Sequence, residues 1–201
     1  MQRDEQTLIQ NALSGDLDAF NALVLTYQDR VYSITYRIMG EPDGAADATQ
    51  DTFITAYRRL AQYRGGSFGA WLSRIATNTC YDMLRYHKRR PATSFEEMPG
   101  ADRDDGPPLP GNTESPEQAA QRAELNAALQ NCIGALKPEQ RIVLVMCDVE
   151  GYSYQEIADT VNINPGTVKS RISRARRAMR NCLQGFRELL PATYRQDSDE
   201  T

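Results

Sequence analysis

Apolar residues recur at intervals of three and four through most of the chain, which is the spacing of one face of an α-helix. In the N-terminal half this pattern predicts three helices, over residues 20–38, about 44–63 and 68–84. Asp16 or Asp18 can cap the first of these helices, and Gly40 can end it. No strand-like alternation of useful length interrupts the pattern. We therefore predict an N-terminal module built of helices.

The C-terminal half has the same helical spacing with clearer start signals. An apolar stripe runs over residues 125–136, and residues 142–146 are apolar on every side, which predicts a central helix. Ser153 and Glu156 match a capping box at the start of a short helix. Asn164 can cap a second helix after a tight turn. Two short helices joined in this way form a helix-turn-helix.

Between the two halves the composition changes abruptly. Residues 91–116 contain six of the ten prolines and almost no large apolar residue, so they cannot bury enough surface to fold. The chain has a net charge of −4, to which residues 91–117 contribute −6 and each flank about +1. We predict an all-α protein of two helical domains joined by a flexible linker. The expected parts are a first domain over 1–90, the linker over 91–118, a second domain over 119–184 and a flexible tail over 185–201.

Several protein classes are disfavoured by what the sequence lacks. No apolar run approaches the ~18 residues of a membrane-spanning helix, and the start has no secretory apolar region, so we expect a cytoplasmic protein without membrane insertion. The four cysteines, at 80, 132, 147 and 182, show no C-x-x-C spacing, and His87 is the one histidine. We therefore expect no metal, no cofactor, and buried thiols rather than disulfides or a redox switch. An enzyme is the least favoured class, because the sequence shows no nucleophile–base pair or carboxylate cluster.

The second helix of the predicted helix-turn-helix is strongly basic. From Thr160 to Arg187 there are seven basic residues and no acid, whereas solvated helix faces usually mix signs. This composition favours contact with DNA. Residues expected to project toward base edges are Thr167, Lys169, Ser170, Ser173 and Arg174, and those expected at phosphates are Arg171, Arg176, Arg177 and Arg180.

These motifs resemble two regions of a known family. Residues 136–141, 151–158 and 166–176 look like region 4 of extracytoplasmic-function sigma factors, the small sigma-70 family members that direct core RNA polymerase to promoters. Residues 47–53 and 68–82 look like region 2 of the same family. A helix-turn-helix alone is a weak signal. Both blocks together, in this order and at this separation, are a strong one.

The resemblance implies roles for the N-terminal module as region 2. Contact with the β′ coiled coil of core polymerase is expected through Asp47, Gln50 and Asp51, although a merely solvated acidic face is also common. Binding of the melted −10 strand is expected through Arg64, Trp71, Arg74, Asn78, Arg85, Lys88, Arg89 and Arg90. Trp71 can hold a flipped base, but its place on the apolar stripe favours core packing, with Arg74, Asn78 and Arg85 on the opposite face.

The resemblance also implies partners for the C-terminal module as region 4. This module is expected to bind the β flap of the polymerase and to read the −35 element through Thr167, Lys169, Ser170, Arg171, Ser173, Arg174, Arg177 and Arg180. Family members are often held inactive by an anti-sigma factor, and the sequence leaves open whether one exists here. The main alternative is a stand-alone helix-turn-helix regulator whose N-terminal module senses a signal or dimerises.

Overall fold

The computed structural model describes residues 4–89 and 116–191, with side chains for residues 4–86 and 117–191. The α-helices in these stretches are α1 Glu5–Leu13, α2 Leu17–Met39, α3 Pro42–Arg59, α4 Phe68–Arg89, α5 Pro116–Gly134, α6 Pro138–Leu144, α7 Tyr154–Val161 and α8 Pro165–Leu183. Short helical turns are Leu60–Gln62 and Gln184–Leu189, and a π-helical turn is Val145–Val149. The all-α prediction is confirmed for the described residues. Most of the predicted linker, Arg90 and the end of the tail lie outside them.

Both ends of α2 follow the local signals in the sequence. Of the two candidate caps, Asp16 is the one used, because its Oδ1 accepts hydrogen bonds from the N–H groups of Asp18 and Ala19, at 2.9 and 3.1 Å. Gly40 ends the helix in the left-handed conformation, with φ of 84°. The chain therefore turns from α2 directly into α3.

The helix-turn-helix formed by α7 and α8 also begins as predicted. Ser153 and Glu156 bond reciprocally at the start of α7, which confirms the capping box. Asn162 ends α7 in the left-handed conformation. Asn164 then caps α8, because its Oδ1 accepts the N–H of Thr167 at 2.7 Å.

In the N-terminal module, α2 is the central helix and packs against α1, α3 and α4. Its side chains Leu23, Ile34 and Ile38 are at most 1% exposed, and Phe68 of α4 packs in the same core. Helix α1, which the apolar spacing does not predict, closes this core with three buried residues, Leu8, Ile9 and Ala12. Three apolar positions are too few for a clear periodic signal.

In the C-terminal module, the segment predicted to be central is buried as expected. Residues 142–146 are 5% exposed or less, and α6 packs against α8. The preceding residue, Arg141, is also buried, at 8% exposure. The apolar pattern does not predict this burial, because a single arginine in a short helix usually faces solvent.

The buried Arg141 joins the two modules. Its Nη1 donates to the carbonyl oxygens of Ile38 at 3.0 Å and Met39 at 2.9 Å, where α2 ends. Its Nη2 donates to the carbonyls of Gly134 and Leu136, where α5 ends. The guanidinium thus satisfies the free carbonyls of two helix C-termini, where a cation is also favoured by the helix dipoles. The modules therefore share one packed core across this contact.

The prediction of unpaired cysteines is wrong for one pair. Cys132 of α5 and Cys182 of α8 form a disulfide, with their Cα atoms 5.7 Å apart. Their separation of 50 positions concealed the pairing, because it arises from the packing of α5 against α8 rather than from local spacing. Cys80 and Cys147 are free thiols, and Cys80 is buried.

Candidate nucleic-acid interfaces

The acidic patch predicted to bind polymerase lies on the outer face of α3. Asp47, Gln50 and Asp51 are all exposed, and they share one face of the helix because they are three and four residues apart. The opposite face is fixed in the core by Ala48 and Thr52, each fully buried. The structure thus presents these three side chains together on a rigid support.

The residues predicted for −10 DNA divide between core and surface of α4. Trp71 is half-buried and lies 5.3 Å from the ring of Phe68 and 5.4 Å from that of Tyr63, which is the core packing that its position favoured. Arg74 is exposed, whereas Asn78 is half-buried. The other candidates are Arg85, exposed on α4, Arg64, exposed before α4, and Lys88 and Arg89, in its last turn.

The C-terminal module contacts this surface of α4 directly. Arg74 pairs with Glu156 of α7 at 3.3 Å and lies over the ring of Tyr152 at 5.8 Å. The hydroxyl of Tyr81 donates to the carbonyl of Val161, at the end of α7, at 3.0 Å. A hydrogen bond from the backbone N–H of Ser153 is the main reason why the pKa of Glu156 lies below its usual value. Glu156 therefore both caps α7 and binds a residue predicted to hold DNA.

Helix α8 has a buried apolar face and an exposed cationic face, which is the arrangement that binding in a DNA groove requires. Val168, Ile172 and Ala175 are at most 1% exposed and fix one face to the module. Lys169, Ser173, Arg174, Arg177 and Arg180 are exposed on the remaining surface, and Thr167, Ser170 and Arg171 are half-buried. The cations therefore point away from the core along the length of the helix.

One arginine of α8 has a partner in the protein. Arg176 forms a bidentate ion pair with Asp148, at 2.6 and 3.0 Å. The hydrogen bond from Arg176 holds the pKa of Asp148 below its usual value. The phosphate contact predicted for Arg176 therefore competes with a bond that ties α8 to the turn after α6.

Both modules match known protein families. Residues 23–90 match the family described as Sigma-70 region 2, and residues 126–179 match Sigma-70, region 4. The RNA polymerase sigma-H factor of Pseudomonas aeruginosa is 38% identical over 184 residues, which are 91% of this chain and 95% of that protein. The chain belongs to the extracytoplasmic-function sigma factors. The first module of this sigma factor thus matches region 2 over residues 23–90, which favours this reading over a stand-alone regulator.

Two further comparisons support the assignment of this sigma factor. The ECF RNA polymerase sigma factor SigE of Mycolicibacterium smegmatis is 40% identical over 167 residues, 83% of this chain and 62% of that protein. The solved structure of CnrH, in complex with the cytosolic domain of CnrY, is 25% identical with a TM-score of 0.51 and covers 90% of this chain and 99% of that one. Among the described residues no helix is long and apolar enough to cross a membrane, and no cluster of ligating side chains suits a metal ion.

Proposed function

We propose that this sigma factor reads the −35 element with α8, holds the melted −10 strand with α4, and binds core polymerase through the acidic patch on α3. The observation that carries the proposal is the construction of α8. Its apolar face is buried, most of its cations are exposed, and the sequence from Thr160 to Arg187 contains no acid. A helix of this kind is suited to the negatively charged major groove.

Two contacts hold α8 in place for such a role. Asn164 fixes its first turn, and the ion pair between Asp148 and Arg176 fixes its middle. Lys169 lies in the second turn of α8 and Arg174 at its midpoint, so we assign them to base edges. Arg177 and Arg180 lie further along, so we assign them to phosphates.

The acidic patch on α3 is proposed as the contact with polymerase. Asp47 and Asp51 supply charge, and the Gln50 amide can donate and accept hydrogen bonds. A basic surface such as the β′ coiled coil is complementary to this set. Contact of the C-terminal module with the β flap rests on the family resemblance.

The exposed part of α4 is proposed as the −10 strand-binding surface. Arg74 and Arg85 can contact phosphates, and Asn78 can bond a base edge. Arg74 is paired with Glu156 in the structure, so DNA has to replace that ion pair. Trp71 packs against the rings of Tyr63 and Phe68, and its contact with a flipped base stays a prediction.

We further propose that the chain supplies recognition and no covalent chemistry, and that it acts in the cytoplasm with the polymerase. No cofactor is required for this role. An inhibitory anti-sigma factor remains a prediction from the family resemblance, and it gains support because CnrH was solved with a bound protein domain.

Binding of a duplex promoter with and without core polymerase tests the proposal. Each module has a net charge near +1, so we expect the chain alone to bind duplex DNA weakly and without sequence preference. With core enzyme, a promoter-specific complex should form. A tight, sequence-specific gel shift by the chain alone would instead support the stand-alone regulator.

A further inference from the structure

The disulfide between Cys132 and Cys182 joins the end of α5 to the end of α8 in the C-terminal module. Cys132 is two residues before the end of α5, and Cys182 is in the last turn of α8. The loop that the bond closes contains α6, α7 and nearly all of α8. It therefore encloses the whole helix-turn-helix.

The pair is also built for stepwise exchange with a small thiol reagent. Cys132 is 1% exposed, whereas Cys182 is half-buried at the surface end of α8. A reagent can therefore reach Cys182 first, and Cys132 is positioned to complete the reaction within the protein. The Cα separation of 5.7 Å needs no movement of the backbone.

The other two cysteines lack these features. Cys80 is fully buried in the N-terminal module, and burial raises the pKa of its thiol to about 12. Cys147 is half-buried beside Asp148, and burial also raises the pKa of its thiol. Both thiols are therefore poorly reactive, and each is an internal control for the pair.

We propose that Cys132 and Cys182 are a reversible disulfide site, oxidised by a low-molecular-weight disulfide such as glutathione disulfide, that locks the helix-turn-helix to α5. The thiolate of Cys182 attacks glutathione disulfide, forming a mixed disulfide and releasing one glutathione thiolate. The thiolate of Cys132 then attacks the Cys182 sulfur and releases the second glutathione. Two protein thiols are oxidised, and one glutathione disulfide is reduced to two glutathiones.

Oxidation should act mainly on the module that contains the bond. Cross-linking at this separation restricts the unfolded chain, so opening of α5 through α8 becomes rarer. Helices α2 and α4 lie outside the loop and contact it only through the shared core, so they should respond less. In a reducing compartment, thiol–disulfide exchange with the glutathione pool sets whether the bond is formed.

The test is a count of free thiols in the full chain, by alkylation under denaturing conditions after equilibration with glutathione at varied ratios. We expect four reactive thiols in the reduced chain and two after oxidation, with Cys80 and Cys147 the two that remain. In Cys182→Ser, oxidation should no longer remove two reactive thiols. In the matched control Cys147→Ser, oxidation should still remove two. Four thiols at every ratio, or the same loss in Cys182→Ser, would overturn the proposal.

Amide hydrogen exchange of the oxidised and reduced chain provides the second measurement. Exchange in α5 and α8 should slow at least tenfold on oxidation, and exchange in α2 and α4 should slow by a much smaller factor. If the disulfide forms but exchange in α5 and α8 does not slow more than exchange in α2 and α4, the disulfide does not lock the helix-turn-helix. None of these readouts requires polymerase or promoter DNA, so the outcome is independent of whether the proposed promoter contacts are correct.

Discussion

The guanidinium of Arg74 lies 3.3 Å from the carboxylate of Glu156, so a residue predicted to hold −10 DNA is paired with the third residue of α7. Both side chains are about half exposed, which makes the pair weak in free energy. Its importance is in its position, because DNA bound along α4 would compete with Glu156 for the same cation.

Replacing Glu156 by Gln should therefore strengthen binding of single-stranded −10 DNA to the free chain. Gln at this position can still serve a capping box, so α7 should keep its start. We expect an affinity gain of up to about fivefold, measured by fluorescence anisotropy at low salt. Asp159→Asn, an exposed change on the same helix, is the control and should have no effect. Equal affinities for Glu156→Gln and wild type would show that the ion pair does not restrict Arg74.

Charge reversal on α3 should weaken polymerase binding. In Asp47→Lys with Asp51→Lys, like charges would meet across a contact with a basic coiled coil, which costs affinity. Helical content should survive, because both residues are exposed. The matched control is Asp29→Lys with Glu124→Lys, which changes net charge equally at other exposed sites. If the α3 double variant captured core enzyme as well as its control did, the patch assignment would be wrong.

Alanine substitutions on α8 should separate base reading from phosphate binding. Arg174→Ala is expected to cost about 1–3 kcal/mol on the preferred −35 sequence and to relax preference at one position. Arg180→Ala should weaken all sequences alike and flatten the salt dependence. A promoter library with each −35 position varied, transcribed by each holoenzyme, measures both effects. If Arg174→Ala kept the wild-type −35 preference, Arg174 would not read a base and α8 would contact only the DNA backbone.

Removal of the Arg141 guanidinium should destabilise the whole chain. Arg141→Met leaves four carbonyl groups, two at the end of α2 and two at or just after the end of α5, without their donor. We expect a loss of about 3 kcal/mol in the free energy of unfolding. Arg141→Lys should recover little, because one ammonium cannot span both helix ends as the planar guanidinium does. Arg58→Met, at an exposed site, is the control in urea unfolding. A loss no larger than that of the control would contradict the bridging role.

The ion pair between Asp148 and Arg176 should give a pH-dependent contribution to stability. Because the pKa of Asp148 is lowered in the folded state, the contribution is complete above the unfolded pKa of ~4 and is lost as pH falls through the lower folded value. The pair is partly exposed, so Asp148→Asn should cost less than ~1 kcal/mol near neutral pH. Urea unfolding from pH 7 to pH 2 should show the two proteins converge. A difference independent of pH would mean that the charge of Asp148 contributes nothing.

Local features of the fold were predictable from the sequence, whereas long-range contacts were not. Asp16 and Ser153 act on backbone groups two to three residues away, so their motifs are visible in the chain. Arg141 bonds carbonyls 102 and 103 residues distant, and Cys132 pairs with a residue 50 positions on. Nothing in local spacing encodes such partners, because the packing of separate helices creates them. The candidate site residues divide in the same way. The helical periodicity predicted that Arg174 is exposed, whereas nothing in it predicted the ion pair between Arg74 and Glu156.

Run-off transcription with purified core polymerase and genomic promoter fragments tests whether this sigma factor directs the polymerase to specific promoters. Reactions with and without this chain, and with the α3 and α8 variants, can be compared at one salt concentration. We expect transcripts from a defined set of promoters that require the chain, with activity lost in Asp47→Lys/Asp51→Lys and altered −35 choice in Arg174→Ala. If core polymerase gained no promoter-specific initiation from the chain on any fragment, the proposed function would be wrong.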